Sequence, residues 1–585
     1  MSYWWEENRV RFEEELAAFT RRGASLTIDS NEQGSGSIVL NITWPDPSGG
    51  LDLIIRYPHH FPYFRPAITA PGLSLRYHRS PSGDLCLLPQ WTGAWRPQDL
   101  VADYIFEQLP KVLTAGNSDE KDEVADIEVQ QAEPRSGYYP FSPETCFIID
   151  GSWEIDPSIK SGYLEIGVGG SSISDPKELI RKGIRGAVLQ VQDPSGTPIA
   201  VLPEAIRSLY AGMVFKGQWV RLPSAPAENS ENSFWEALKL EFPKEFDAIE
   251  KKASRNREGV VGFLFPEESN HRGTSSNGWV FLTYFGIKNK AAHENRIFLS
   301  RAERAGVNDI FGRVPELSPL RQKKIAFAGL GCIGAQGAIE FAKSGIGELR
   351  FLEGDTVSPD NSCRWPLGMQ YTGWYKFRSI SHFLATNFPH TSLGSPFPFM
   401  LGNPYNPPAE KALLDSWLDG VDLIFDASAE IGVQHLLSSL AAIKKIPYVL
   451  IETRPGGWGG VVARILPGTT GCYYCLCQYF TDGANREEGG FKFPHQKKED
   501  FYQAQGCLSP TFTAASFDVE EVTLQGVRMA VSILCSGVKG AYPYYKEDVG
   551  VLSLRDSSGI TTCFPTWKTY QLSRHPSCSC DICLT

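Results

Sequence analysis

The sequence predicts a multidomain α/β protein in three parts. These are an α+β domain over residues 1–120, a mixed α/β linker domain over 121–300 and a Rossmann-like α/β domain over 301–585. Three observations carry this reading. From about residue 311 the chain alternates short apolar strands with helices, beginning with the strand KKIAFAGL, as an α/β sheet does. The first 115 or so residues combine a near-helical spacing of Trp5, Phe12, Leu16 and Phe19 with the strand-like runs GSIVLNITWP and LDLIIRYP, separated by the turn-forming DPSGG. A polar, acidic stretch over 116–137 has no apolar period and reads as a linker. From 140 to about 310, strand-like runs (GYLEIGVGG, GAVLQVQD, GVVGFLF, GWVFLTYFG) mix with a few helical stretches and hold no catalytic constellation. A chain of 585 residues, 42% hydrophobic and 12% aromatic, has material for three or four cores of ordinary size.

Composition narrows the partners. A net charge of −11 argues against the nucleic-acid backbone as the main ligand. No run of about 18 apolar residues occurs, so no membrane segment is expected. The start, MSYWWEENRVRFEEELAAF, is acidic and amphipathic where a signal peptide is basic and then apolar, which makes the cytoplasm the expected location. Thirteen cysteines, several in CxxC pairs, suit metal ligands and reactive thiols better than a disulfide framework.

AGLGCIGA places Gly329, Gly331 and Gly334 in GxGxxG spacing between an apolar strand and the helical AIEFAKSG. Such a Rossmann-like turn lets a phosphate approach the helix N-terminus. The next strand ends in Glu353, where an acidic side chain holds ribose hydroxyls. A dehydrogenase would share these features. Asn361, Arg364 and Lys376, in SPDNSCRWPLGMQYTGWYK, separate the readings, because cations around a triphosphate serve adenylation and have no evident use beside NAD. In GLGCIG, EGD, NSCR and GWYK the chain resembles the ThiF-like, ubiquitin-activating adenylation family. That resemblance implies ATP as cosubstrate, with Glu353 on ribose, Asp355 close by, and Asn361, Arg364 and Lys376 on phosphates. It also implies Mg²⁺ on Asp426 of VDLIFDASAE, although Ala429 stands where many relatives carry a second Asp. Arg301 and Arg304 are alternatives for an arginine that some relatives supply across a dimer, and a homodimer is expected.

GCYYC and SCSCDIC offer Cys472, Cys475, Cys580 and Cys583. Two CxxC knuckles suit a closed structural Zn²⁺ site, with Cys477 and Cys578 near enough to substitute. Between the knuckles Cys507 follows a glycine and precedes the helical AASFDVEEVTLQGVRMAVSIL, where a helix dipole and nearby lysines favour a thiolate. Cys-x-x-Pro-Thr-Phe followed by Asp resembles the thioester cysteine of activating enzymes, particularly those of bacterial antiphage operons.

That relay gives a meaning to Cys86. YPHHFPYFRPAI, YHRSPSGDLCLLP and AWRP resemble the ubiquitin-conjugating family, with Gly83, Cys86, Leu87, Trp95 and Pro97 matching its pattern and His78-Arg79-Ser80 replacing His-Pro-Asn. The family's asparagine has no clear counterpart; Ser80 stands nearby. The resemblances together imply a fusion of activating and conjugating enzymes like those of CBASS antiphage operons. ATP adenylates the C-terminus of a protein carrier, a ubiquitin-like protein or a CBASS cyclic-nucleotide synthase; Cys507 takes the acyl group, and Cys86 passes it to a target amine. The linker domain would be a connector or a degenerate adenylation-like domain. A sulfur-carrier adenylyltransferase of thiamin or molybdopterin type, with the N-terminal domain only a binding module, is the rival reading.

Overall fold

The computed structural model describes residues 3–580 and 583, apart from 47–48, 81, 88–94, 119–131, 170–183, 254–257, 269–271, 289–292, 396, 398–399, 403–406, 486–487, 494–500, 506–508 and 557. The chain divides into two compact units, residues 1–203 with 207–306, and residues 204–206 with 307–585.

The first unit opens with the helices α1 (Trp4–Glu7) and α2 (Arg9–Arg21), broken at Asn8, whose side chain accepts from the Arg11 amide. An antiparallel meander follows in chain order: β1 (Ser25–Ile28), β2 (Val39–Trp44), β3 (Leu51–Arg56) and β4 (Ala67–Thr69). On β2 the odd-even alternation sends Leu40, Ile42 and Trp44 to the core and Asn41 and Thr43 to solvent, the period-two pattern of a sheet with one wet face. The helix Val101–Asn117 covers the apolar face with Val101, Ile105, Leu109 and Val112. One polar group lies in this core. Glu15 is 0% exposed and accepts from Arg11 at 2.7 Å, from the Val101 amide at 3.1 Å and from the Tyr57 hydroxyl at 3.4 Å.

Residues 141–304 form a second sheet of eight strands: β5 (Phe141–Ile149), β6 (Ser161–Val168), β7 (Arg185–Gln192), β8 (Pro198–Val201), β9 (Met213–Arg221), β10 (Gly259–Glu268), β11 (Ser275–Lys288) and β12 (His293–Arg304). Their order is β5-β12-β11-β10-β9-β6-β7-β8, and β5 also pairs with β7, so seven strands close on themselves. Phe147, Leu164, Ile166, Val188, Val191, Trp219, Leu264 and Phe281 fill one core cluster. Helices Glu231–Glu241 and Pro243–Ala253 belong to another with Phe263, Phe265 and Leu282. Most neighbouring strands of this sheet run antiparallel.

The second unit holds the sheet that positions the candidate site. Its strands are β13 (Lys324–Ala328), β14 (Glu348–Leu352), β15 (Ser392–Leu393), β16 (Leu423–Asp426), β17 (Tyr448–Thr453), β18 (Gly459–Ile465), β21 (Val549–Arg555) and β22 (Thr561–Tyr570), ordered β15-β14-β13-β16-β17-β18-β21-β22. The first five are parallel and the last three antiparallel. Both faces are buried. Ile325 and Phe327 pack into one cluster with the helices Cys332–Lys343 and Ser516–Leu534, while Ala326 and Ala328 pack into the other with Ile431–Lys444 and Tyr473–Ala484. That explains the unbroken apolar run of β13. Between β18 and β21 in sequence lies a separate hairpin, β19 (Phe501–Gln505) with β20 (Ser509–Phe512). Among the described residues no helix is long and apolar enough to cross a membrane.

The Glu15 carboxyl is pushed up to about 7 by burial, which outweighs the lowering effects of Arg11, the Val101 amide and Tyr57. Between its ordinary value of 4.5 and about 7 the folded chain holds a proton that the unfolded chain has released. This group's contribution to stability therefore falls as pH rises through that window and is flat outside it. In thermal unfolding of the full chain, Glu15→Gln should gain on the wild type between about pH 5 and about pH 8, by at most roughly 3 kcal/mol. A difference that stays constant across that range would contradict a titrating Glu15.

Candidate functional site

The sheet order sets the location. Connections from β13 run to β14 on one side and, later, to β16 on the other, so the carboxyl ends of these strands mark the switch point at which ligands of open α/β sheets bind. Gly329, Glu353 and Asp426 stand there, directly after or at the ends of β13, β14 and β16.

The three glycines have different physical reasons. Gly329 has φ +80°, and a Cβ on it would lie 2.8 Å from the Ser428 Cα and 2.9 Å from the Ala427 backbone. A Cβ on Gly334 would lie 1.9 Å from the Gly329 carbonyl oxygen. The fold itself therefore demands both. Gly331, with φ −66°, has no atom of the described residues within 4 Å of a Cβ position, so packing does not require glycine there. Gly331 is also the N-cap of the helix Cys332–Lys343, which has no side-chain cap and no acidic residue in its first turn. Its leading N–H groups and positive dipole end are thus left to an anion.

Cations gather at that helix start. Burial pushes the Cys332 thiol up, while Arg364, the local amides and Lys376 pull it down. Lys376 opens the helix Lys376–Asn387 and forms a short ion pair with Asp355, whose carbonyl also accepts the Lys376 amide at 2.9 Å. Glu353 braces the glycine turn: its Oε2 accepts from the Leu330 amide at 2.7 Å and its Oε1 from the Asp355 amide at 2.8 Å, with a lone pair of each oxygen left over. Asn361 sits in a one-turn 3₁₀ segment, where its Oδ1 accepts from the Ser358 amide at 3.1 Å. Sequence reasoning missed Trp365. Its buried indole donates to the Leu330 carbonyl at 3.0 Å and pins the arginine loop to the glycine turn; a tryptophan next to the arginine was the available signal.

Asp426 departs from its expected part. It is 0% exposed; Oδ1 accepts from the Ser428 amide at 2.9 Å and hydroxyl at 2.6 Å, and Oδ2 from the Tyr448 hydroxyl at 2.7 Å. Burial pushes its pKa up. The carboxylate faces its own loop and a core tyrosine, which does not fit a direct ligand of Mg²⁺. Ala429 beyond it holds φ +54°, a left-handed conformation that costs a residue with a Cβ about 1 kcal/mol. Arg301 and Arg304 lie on β12 of the first unit, Arg301 over the Phe141 ring and Arg304 3.6 Å from Glu267.

Four thiols converge in the second unit: Cys472, Cys475, Cys578 and Cys583, with ligand atoms all within 4.8 Å of one another. The sequence reading named Cys580, and the structure replaces it with Cys578, the neighbour that spacing left open. The recorded Sγ···Sγ distances are 3.8 Å (Cys472–Cys475), 3.9 Å (Cys472–Cys578) and 3.7 Å (Cys475–Cys583). These are too long for a disulfide, but four sulfurs about 2.3 Å from a common centre define a tetrahedron with edges of about 3.8 Å. Backbone amides support the sulfurs, Cys472 donating to Cys583 and His575 to Cys475, each at 3.3 Å. The distant arm is held by Gly471 donating to the Leu572 carbonyl at 2.7 Å and Leu572 to Asp548 at 2.9 Å. Asp548 in turn is paired with the buried Arg464 at 2.9 Å.

In the first unit Cys86 is exposed, and its amide donates to the His78 carbonyl at 2.8 Å. Beside it a cleft of about 230 Å³ is lined by residues including Arg65, Asp84, Leu87, Trp95 and Tyr104. The Ser80 hydroxyl is engaged in its own turn, 2.7 Å from Ser82 Oγ and accepting from the Asp84 amide at 3.0 Å. Cys507 lies outside the described residues.

A mostly parallel α/β sheet with a glycine turn and an uncapped helix start at its switch point is the class that fold and site define. Residues 305–523 match the ThiF family, so the chain carries a ThiF domain toward its C-terminus. An uncharacterized protein of Sinorhizobium fredii, y4oA, is 29% identical over 99% of this chain and 97% of its own length. A second from the same organism, y4qC, is 28% identical over 98% and 96%. The molybdopterin-synthase adenylyltransferase of Escherichia coli is 26% identical over 28% of this chain and 63% of its own. Among solved structures, E. coli MccB with ATP overlays 47% of this chain and 70% of its own at 17% identity, with a TM-score of 0.32.

The glycine geometry predicts unequal costs. Gly334→Ala should lower the stability of the full chain by roughly 1–3 kcal/mol or more through overpacking against backbone, whereas Gly331→Ala should leave the unfolding midpoint nearly unchanged. Equal effects in thermal denaturation would contradict the assignment.

Proposed function

We propose that the ThiF domain uses ATP to adenylate the C-terminal carboxylate of a protein carrier. The carrying observation is the uncapped helix start beyond Gly331 with Arg364 and Lys376 gathered around it. A carboxylate oxygen attacks the α-phosphorus, pyrophosphate leaves, and the charge that builds on the phosphoryl oxygens is met by N–H groups and the two cations. Asn361 joins them at the phosphates, and Glu353, with Asp355 adjacent, receives the ribose. ATP brings Mg²⁺ to neutralise its phosphates. Given the enclosed carboxylate of Asp426, no step here depends on that residue. For its ammonium to reach a phosphate, Lys376 exchanges its Asp355 partner for the nucleotide.

The relay then follows covalent catalysis. The Cys507 thiolate attacks the acyl carbon and AMP leaves. Cys86 displaces Cys507 by thioester exchange, and a target amine displaces Cys86 to give an amide. The exposure of Cys86 supports its place in this order. The carrier is a ubiquitin-like protein or, as in CBASS operons, a cyclic-nucleotide synthase, and the enzyme works as a homodimer. The rival, a sulfur-carrier adenylyltransferase, needs no Cys86. Zn²⁺ fits the Cys472, Cys475, Cys578 and Cys583 cluster, where four thiolates leave no open position, so its part is structural; metal binding displaces thiol protons.

Four measurements test this. ATP–pyrophosphate exchange with a carrier should fall about a hundredfold in Arg364→Ala, and Gly331→Ala should lose ATP binding while keeping its fold. A reducing-agent-sensitive adduct on Cys86 should require Cys507; an adduct on Cys86 that survives Cys507→Ser would reverse the order of transfer. Purified protein should carry about one zinc per chain by elemental analysis, lost in Cys578→Ser and retained in Cys580→Ser; the opposite pattern would exclude the observed cluster.

A further inference from the structure

The two knuckles of the thiol cluster are held unequally. Cys472 and Cys475 stand at the start of the helix Tyr473–Ala484, with Cys472 as its N-cap. Residues 571–580, which carry Cys578, form no helix or strand. An irregular segment of this kind must give up conformational freedom before a sulfur on it can meet a metal.

The helix supplies the contacts that order the segment. Cys475, Tyr479 and Asp482 follow one another at i, i+4 and i+7, the spacing that aligns side chains along one side of a helix. Each of them touches the segment. Cys475 Sγ accepts the His575 amide at 3.3 Å, the Tyr479 hydroxyl lies 2.7 Å from Ser573 Oγ, and Asp482 Oδ2 lies 2.8 Å from His575 Nε2. The Tyr479 ring also stands edge-on to the imidazole, with centroids 4.8 Å apart and planes at 82°.

His575 is buried and lies three residues before Cys578, a position from which a histidine could complete a Cys₃His zinc site. Its ring nitrogens are already engaged. The Ser577 amide donates to Nδ1 at 3.1 Å, so that nitrogen carries a lone pair, and the ring proton sits on Nε2, where Asp482 accepts it. The backbone of His575 meanwhile joins the two knuckles. Its amide is on Cys475 Sγ, and its carbonyl accepts the Cys578 amide at 2.9 Å.

We propose that His575 and Asp482 are positioning residues of the metal site. The Asp482 carboxylate anchors the imidazole to the helix of the first knuckle, and the anchored His575 backbone sets Cys578 where its sulfur closes the cluster of four thiols. The imidazole itself stays outside the coordination shell. This inference rests on the reading of the cluster as a Zn²⁺ site and is independent of the thioester relay.

The test follows metal on the full chain. Zinc-loaded protein is mixed with excess EDTA, and the zinc that remains bound is measured by elemental analysis after gel filtration. Asp482→Ala and His575→Ala should each release zinc about tenfold faster or more than the wild type. The double variant should be no faster than either single one, because both break one contact. Asp482→Asn keeps a carbonyl oxygen for the imidazole N–H and should release zinc within about threefold of the wild-type rate. Cobalt reports the ligands directly. Co²⁺ added to metal-free protein should give the visible bands of four thiolates in the wild type, unchanged in Asp482→Ala and His575→Ala. Bands of three sulfurs and one nitrogen in the wild type, or a shift in His575→Ala, would make the imidazole a ligand and overturn its assignment. Zinc release from Asp482→Ala within about twofold of wild type, or from Asp482→Asn as fast as from Asp482→Ala, overturns the positioning role of the hydrogen bond. Wild-type protein that binds neither metal overturns the proposal together with the zinc reading.

Discussion

The close approach of β13 to the Ala427–Ser428 backbone is the constraint on which the second unit depends. Gly329 turns there with φ +80° and no room for a Cβ, and Gly334 lets the following helix settle against the Gly329 carbonyl. Once that helix is seated, its uncapped start, the Glu353 brace and the Trp365 pin fall around one point. Widening the contact by one methyl would displace the helix start on which the cations converge. The doubly buried sheet supplies the stiffness, because Ile325 and Phe327 on one side and Ala326 and Ala328 on the other commit β13 to two cores at once.

Charge in this molecule is placed with the same economy. Glu353 and Asp426 are both carboxylates at strand ends, yet they have opposite roles. Glu353 braces a loop at the switch point, whereas Asp426 is enclosed by Ser428 and Tyr448 and pushed toward its neutral form by burial. In the buried Arg464–Asp548 pair the guanidinium also donates to the Tyr545 and Lys546 carbonyls and the carboxylate accepts from the Leu572 amide. Breaking it would leave an unpaired charge inside the core and loosen the arm that brings Cys578 and Cys583 to Cys472 and Cys475.

Local signals were legible where the chemistry is local. GxGxxG between a strand and a helix announced the turn, and the alternation in β2 and the runs of β6, β7, β10 and β11 announced strands. The closure of β5 on β7 was not legible, because strand pairing between segments some forty residues apart leaves no mark in either one. How residues 133–137 are tied down was not legible for a related reason. Glu133 and Ser136 look like solvent residues until their distant partners, His78 and Glu267, are known.

By itself the sequence determined the alternation of strands and helices in the C-terminal half, the glycine turn between β13 and its helix, and the first cysteine knuckle, since each depends on residue types at short, fixed spacing. Tertiary structure decided between Cys578 and Cys580, whose distances in sequence from Cys472 are nearly equal but whose sulfurs are not equally near. It also enclosed Asp426, committed Ser80 to a turn and brought Glu133 to the Cys86 loop. Such choices depend on where backbone hydrogen bonds carry a side chain in three dimensions, and spacing along one chain holds no record of that direction.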